Sequence, residues 1–280
     1  MRILVAGATG AIGRLLVPML LADGHEVGGT SRSADGVKAV GALGANGVLM
    51  DAMSAESVDA ALQAFRPEIV IHQLTALGDR DFAANARLRV EGTHNLAEAA
   101  LAVGARKIVS QSISWVYEGG DTPADETVAL DTTPEREGMM IGVRTLESES
   151  ARLPEHVVLR YGALYGPGTW HERGGFIAQQ LRSGSLTAND GVTSFVHVED
   201  AARAAVAALE WPNGAVNIVD DEPAPARAWL PALAEAFGEP APAIVSGRAA
   251  WERGASNHKA RTELGWTPVW PTWRTGFAAK

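Results

Sequence analysis

The segment Gly7-Ala8-Thr9-Gly10-Ala11-Ile12-Gly13 constrains this chain more than any other feature. It follows a short apolar run, Ile3-Leu4-Val5-Ala6. It precedes apolar residues at helical spacing: Ile12, Leu15, Leu16, Met19 and Leu20. The run reads as a strand buried on both faces, and the spacing as an amphipathic helix. Glycines between such a strand and helix serve a tight turn, close approach of backbone to a pyrophosphate, and close helix–strand packing. The helix N-terminus adds N–H groups and the positive end of the dipole. The motif predicts a dinucleotide site at Gly7, Thr9, Gly10, Ala11, Ile12 and Gly13.

Strand and helix patterns continue to alternate. Strands are predicted at 25–30, 47–50, 68–74, 107–111 and 156–160, and helices at 88–103 and 139–153. Ser54 suits the N-cap of another helix, with Glu56 in its first turn, and Pro67 stops it. Alternation of this kind predicts an α/β fold, a Rossmann-type doubly wound parallel sheet with a small C-terminal α/β subdomain. The expected dinucleotide domain is 1–165, with 192–220 returning to it; 166–191 and 221–280 form the expected substrate subdomain. Five of the eight tryptophans lie between Trp229 and Trp273. They either anchor the core of that subdomain or wall an apolar pocket.

Composition removes several function classes. No cysteine is present, so disulfides, a thiol nucleophile and thiolate metal sites are excluded. The seven histidines show no pair with metal-ligand spacing, and no metal is expected. Asp220-Asp221-Glu222 precedes Pro223 and reads as a turn into a helix. With 24 basic and 33 acidic residues and no Lys/Arg run, nucleic acid is not an expected partner. The apolar stretch 15–22 is too short to span a bilayer, and no signal-peptide pattern opens the chain; a cytoplasmic protein is expected.

The second strand runs into Thr30-Ser31-Arg32, and the first acid beyond it is Asp35. A carboxylate here would suit the ribose 2′-hydroxyl of NAD, whereas Arg with neighbouring hydroxyls suits a 2′-phosphate. NADP is therefore expected over NAD, with Ser31 and Arg32 at the phosphate. Asp51 either accepts from the adenine amino group or serves as a helix-entry carboxylate.

Several later motifs are similar to those of the short-chain dehydrogenase/reductase superfamily, in its extended, epimerase/dehydratase-like branch. They are Val90-Glu91-Gly92-Thr93-His94-Asn95-Leu96, Leu159-Arg160-Tyr161-Gly162-Ala163-Leu164-Tyr165-Gly166-Pro167-Gly168, Phe195-Val196-His197-Val198-Glu199-Asp200-Ala201, and Leu264-Gly265-Trp266-Thr267-Pro268. The resemblance covers nearly the whole chain. It implies further cofactor contacts at Ala52, Leu74, Thr75, Ala76, Tyr161, Gly162 and Leu164, and substrate contacts at Trp115, Tyr165, Trp170 and His171. It also implies a homodimer built on long helices after the fourth and fifth strands.

The departures bear on chemistry. The branch uses a Tyr as acid/base and a Lys four residues later. Tyr117, Tyr161 and Tyr165 are the three tyrosines, and none has that Lys. The helix that should carry the pair reads Met139-Met140-Ile141-Gly142-Val143-Arg144-Thr145-Leu146-Glu147. Aligning Val116-Tyr117 with the branch puts Ile113 at the usual hydroxyl position, flanked by Ser112 and Ser114. Thr193 and Ser194 replace the Arg that grips diphosphate in sugar-nucleotide members. Ser112, Ser114 and Tyr117 are thus the catalytic candidates. The expected function is NADP(H)-dependent reduction of a small, non-nucleotide, partly apolar carbonyl or conjugated substrate. A non-redox isomerase, dehydratase or cyclase, or an NADP-sensing binding protein, remains an alternative.

Overall fold

In the computed structural model, which describes residues 1–78 and 80–279, seven strands form the main sheet. They are β1 (Arg2–Ala6), β2 (Glu26–Ser31), β3 (Asn46–Leu49), β4 (Ile69–His72), β5 (Lys107–Ile113), β6 (Glu155–Tyr161) and the strand Gly214–Ile218. Across the sheet the order is Gly214–Ile218, β6, β5, β4, β1, β2, β3. The chain fills β1, β2 and β3 in one direction, then returns to pair β4 with the other side of β1. The ladders β1–β2, β2–β3, β1–β4 and β4–β5 are parallel. A reversal of strand order opens a crevice at the carboxyl ends of the strands, here between β1 and β4. This is the doubly wound architecture expected from the alternation.

The helices α1 (Gly13–Ala22), α2 (Ala34–Ala42), α3 (Ala55–Phe65), α4 (Phe82–Arg87), α5 (Thr93–Ala102) and α6 (Glu137–Ser150) link these strands. Local chemistry sets their ends. Ser33, Ser54 and Asp81 cap α2, α3 and α4 by accepting from Gly36, Ser57 and Ala84 N–H. Arg66 takes the left-handed conformation (φ 49°) and closes α3 just before Pro67. Two helices, α2 and α4, are absent from the sequence reading. The single helix expected at 88–103 is a π-turn, Leu88–Gly92, continued by α5. α2 buries only Val40 and holds Gly36 and Gly41, so it shows no apolar period.

Two compact units divide the chain: 1–112 with 133–159 and 202–215, and 113–132 with 160–201 and 216–280. This differs from the expected boundaries, because the division falls inside β5, β6 and Gly214–Ile218 rather than in a loop. In the first unit, Leu4, Val70 and Ile108 of the sheet pack with Val58, Leu62 and Leu96 of the helices. In the second, Phe195, Trp229, Leu233, Trp273 and Phe277 form the core. Phe195 meets Trp229 and Phe277 edge-on, with ring centroids 5.0 and 5.4 Å apart. Trp229 and Trp273 thus anchor the core, the first of the two roles open to the tryptophans.

Gly29 of β2 shows why a strand tolerates glycine here. A Cβ on it would lie 2.6 Å from Val40 Cγ1 and 2.7 Å from Ala8 Cβ, so α2 and the glycine loop both close over it. Gly29→Val should cost about 1–3 kcal/mol by overpacking. Urea unfolding measures this, and an unchanged midpoint would contradict the packing described.

Candidate functional site

The glycine loop sits at the β1–β4 crevice of the first unit. Gly7 has φ 94°, and a Cβ there would come 2.8 Å from Gln73 O. A Cβ on Gly13 would lie 2.3 Å from Gly7 O and 2.7 Å from Ala8 backbone atoms. Both positions therefore require glycine. Gly10 N–H donates to Gly7 O at 3.1 Å and closes the turn. No side chain caps the N-terminus of α1, and Arg14 and Leu15 N–H donate within the turn to Gly10 O and Ile12 O.

A cleft of about 440 Å³ opens over this loop. Gly7, Thr9 and Gly10 form its floor, Ser31 and Arg32 one side, and Leu74 and Thr75 the other. The structure so brings together three parts of the predicted cofactor site that are distant in sequence. Thr30, Ser33 and Gln73 also line the cleft. Ser33 and Gln73 lie outside the predicted set; each adjoins a predicted residue at a strand end. A Cβ on Gly36 would fall 1.9 Å from Ser31 Oγ, so this glycine makes room for the hydroxyl. Arg32 is exposed, and Asp35 is engaged with Lys38 at 3.2 Å. The cleft's shape, its glycine floor and its uncapped helix N-terminus fit a dinucleotide, and a cation rather than a carboxylate follows β2.

The remaining predicted cofactor positions in this unit have local roles. Asp51 Oδ1 accepts from Met53 N–H at 3.0 Å, the helix-entry role. Ala52 O accepts from Asn95 Nδ2 at 2.9 Å, and Ala76 N–H donates to Asn85 Oδ1 at 3.0 Å. Ala11 is half-buried, and Ile12 is buried at the entry to α1. Beneath the cleft, His72 Nε2 bonds Thr93 Oγ1 at 2.9 Å, while Nδ1 accepts from Leu74 N–H. Burial, with the Arg89 charge adding to it, pushes this imidazole down to about 4.

The catalytic candidates separate. Ser112, the last residue of the first unit, is buried, and its Oγ donates to Glu147 Oε1 at 3.0 Å. Ser114 and Tyr117 belong to the second unit. Ser114 is buried, with its N–H on Tyr161 O at 2.8 Å. Tyr117 is fully buried; its hydroxyl donates to Asn217 Oδ1 at 2.6 Å and accepts from Arg160 Nη1 at 3.0 Å. Burial pushes its pKa up to about 12. The phenol is hydrogen-bonded on both sides and hard to ionise, an arrangement that suits a structural role.

The second unit also gives its other motif residues structural duties. Tyr161 Oη donates to Ala201 O at 3.2 Å. A Cβ on Gly162 would meet Ser194 O at 2.6 Å, so glycine is needed for the pairing of 163–165 with 195–197. Leu164 O accepts from His171 Nδ1 at 2.9 Å. His171 packs against Phe195 and Trp229, and burial lowers its pKa to about 4. Tyr165 is 1% exposed among core aromatics, and burial raises its pKa. Tyr165 thus belongs to the core of the second unit, and the half-buried His171 packs at its edge. Trp170 stacks edge-on against Phe176 at 5.6 Å, and Trp115 keeps an exposed ring.

In α6, Met140 is buried and Arg144 pairs with Glu137 at 3.1 Å. Neither supplies the phenol or the ammonium of the family pair. Among the described residues no group of three His, Asp or Glu could hold a metal ion, and no helix is long and apolar enough to cross a membrane.

Comparison with known proteins agrees with this geometry. The family model described as the NAD dependent epimerase/dehydratase family matches residues 3–219. A Streptomyces protein named 3-diazoavenalumate denitrifying reductase is 43% identical over 306 aligned positions, covering 99% of this chain and 99% of that protein. The structure of the Thermus thermophilus UDP-glucose 4-epimerase in complex with NAD superposes with a TM-score of 0.79 at 29% identity, covering 99% of this chain and 97% of that one. The UDP-glucose 4-epimerase of Thermotoga maritima shares the fold at a TM-score of 0.79 and 23% identity, covering 99% and 96%.

Two outcomes follow from the buried groups. Tyr117→Phe should cost about 1–3 kcal/mol in urea unfolding, because Asn217 and Arg160 lose a buried partner. Its turnover should stay within about twofold of wild type. The unfolded chain protonates His72 below about 6.5 while the folded chain resists to about 4, so this group makes stability rise with pH across that window. The loss between pH 7 and 5 should reach about 2 kcal/mol and shrink in His72→Gln. A pH-independent unfolding midpoint would refute this account of His72.

Proposed function

The chain belongs to the NAD dependent epimerase/dehydratase family and is an oxidoreductase within it, and from that premise we propose an NADP(H)-dependent reductase of a small, conjugated diazo acid. The observation that carries this reading is the reductase relative, matched over the full length of both chains, whose name specifies a diazo substrate and loss of its nitrogen. Ser31 and Arg32 are proposed to hold the 2′-phosphate, with the glycine loop and the α1 N-terminus at the pyrophosphate. The adenine is proposed to lie near Asp51, whose Oδ2 remains free of the turn bond to Met53.

The missing Tyr/Lys pair supports the same reading. Hydride addition to a carbonyl creates an alkoxide, and a proton donor must meet it. Met140 and Arg144 offer none. A diazonium carbon skeleton, R–N≡N⁺, makes a different demand. A bound nicotinamide would supply hydride to the terminal nitrogen, giving neutral R–N=N–H. The C–N bond then breaks, N₂ leaves, and the N–H proton is delivered to carbon to give R–H. Charge and atoms balance with no external acid. What the protein must do is orient the substrate, exclude water and carry one proton between two substrate atoms. Trp115, with its exposed ring, is proposed as an apolar contact for the conjugated skeleton.

A stopped-flow assay with an aryl diazonium carboxylate tests the reading, following nicotinamide absorbance and N₂ together. One equivalent of each is expected per product; nitrogen loss without nicotinamide oxidation would restore the non-redox alternative. In fluorescence titrations Arg32→Ala should weaken NADPH binding by about 10-fold or more and leave NADH nearly unchanged. Equal weakening of both would remove the 2′-phosphate from Arg32.

A further inference from the structure

We infer that the hydroxyls of Ser31 and Ser33 form an uncharged donor pair for the 2′-phosphate of the cofactor, and that Gly36 is the positioning residue that sets this pair and with it the choice of NADP over NAD. This rests on the NADP reading proposed above, and every residue involved lies in the first unit. Ser31, Arg32 and Ser33 all line the cleft over the glycine loop. Thr30 Oγ1 accepts from Gly7 N–H at 3.4 Å and ties the end of β2 to that loop.

Beyond Thr30, two hydroxyls follow in series. Ser31 Oγ accepts from Ser33 N–H at 3.3 Å. Ser33 Oγ accepts from Gly36 N–H at 3.1 Å, as the N-cap of α2. A serine hydroxyl carries one hydrogen and two lone pairs. Each oxygen here gives a lone pair to the backbone, and neither hydroxyl donates to a described residue. Both hydrogens are left for a group in the cleft. A phosphate monoester meets them with three strong acceptor oxygens. A ribose 2′-hydroxyl offers one oxygen and brings a hydrogen of its own, so it uses such a pair less well. Arg32 alone gives a weaker basis for the choice, because it is exposed and salt screens an exposed charge. Asp35, the acid of this turn, pairs with Lys38 in solvent.

Gly36 makes the pair possible. A Cβ there would lie 1.9 Å from Ser31 Oγ, 2.7 Å from Ser31 Cβ and 3.2 Å from Ser33 Oγ. Turning the Ser31 hydroxyl to another rotamer relieves the first contact but not the second. The start of α2 would have to withdraw from the end of β2, and the N–H that seats Ser33 Oγ would withdraw with it. Gly41 in the same helix provides the contrast, since a Cβ on it meets nothing within 4 Å. Glycine is a poor helix former at either position, but of the two only Gly36 is demanded by packing.

Fluorescence titrations with NADPH, NADH, adenosine 2′,5′-bisphosphate and 5′-AMP test this. Gly36→Ala and Ser31→Ala should each raise the NADPH Kd about 10-fold and leave the NADH Kd within about twofold. Gly41→Ala should change neither. In a Ser31→Gly background the added methyl at 36 meets no side chain at 31, so most of the Gly36→Ala effect should vanish; this coupling shows that Gly36 acts through Ser31. Equal weakening of NADPH and NADH by Gly36→Ala would reduce its role to packing of the cleft and overturn the inference. Ser31→Ala, which adds no bulk, decides the matter if Gly36→Ala does not fold, as judged by circular dichroism; an unchanged NADPH Kd in Ser31→Ala overturns the donor pair. Wild type that binds adenosine 2′,5′-bisphosphate no better than 5′-AMP would end the NADP reading itself. A preference for the bisphosphate that survives Ser31→Ala and Gly36→Ala but falls in Arg32→Ala would keep that reading and overturn the donor pair alone.

Discussion

The closeness of three backbone segments governs the first unit. Gly7 presses on Gln73, and Gly13 presses on Gly7 and Ala8, each closer than any side chain would allow. This contact joins the end of β1, the start of α1 and the residues after β4. Because β1 and β4 are neighbours, the same contact lies where the order of strands reverses. A crevice with glycine walls and an uncapped helix end is the consequence. Gly29 extends the principle by one strand, since its missing Cβ admits Val40 and Ala8 together. The candidate cleft thus lies where backbone segments pack closely.

Much of this is legible from residues alone because it depends on spacing. The glycine loop, the strand before it and the helix after it follow from a local pattern. So does the turn at Asp220-Asp221-Glu222, where Asp220 accepts from Glu222 N–H at 3.2 Å before Pro223. What escapes such a reading depends on tertiary context. α2 carries two glycines and one buried residue, so neither propensity nor period marks it; its Ser33 cap and its packing on β2 make it a helix. The π-turn at Leu88–Gly92 has no sequence signature, since an apolar helix with one extra residue reads like one without it.

Three of the candidate residues share a feature. Tyr117, Tyr165 and His171 each lie in a segment that resembles a functional motif, and each carries a group capable of chemistry. Resemblance places the backbone; it does not say whether the polar end meets solvent or core. Tyr117 is closed off by Asn217 and Arg160, and His171 by the Leu164 carbonyl. In Tyr165 even the hydroxyl is buried without a partner, which a core aromatic accepts only because its ring area outweighs one unsatisfied oxygen. Gly276 lies against that ring, where a Cβ would come 2.2 Å from Tyr165 Cε2. These contacts help build the second unit.

Loss of the Tyr/Lys pair is more informative than its presence would have been. With the pair, a member of this family can reduce or oxidise any alcohol or carbonyl that fits, and the site says little of the substrate. Without it, the reading proposed above assigns the protein a group whose reduction needs no strong external acid. A diazo function satisfies that demand because departing N₂ drives the step and the substrate supplies its own proton. The absent pair and the full-length reductase relative are separate observations, and the proposed diazo chemistry is consistent with both.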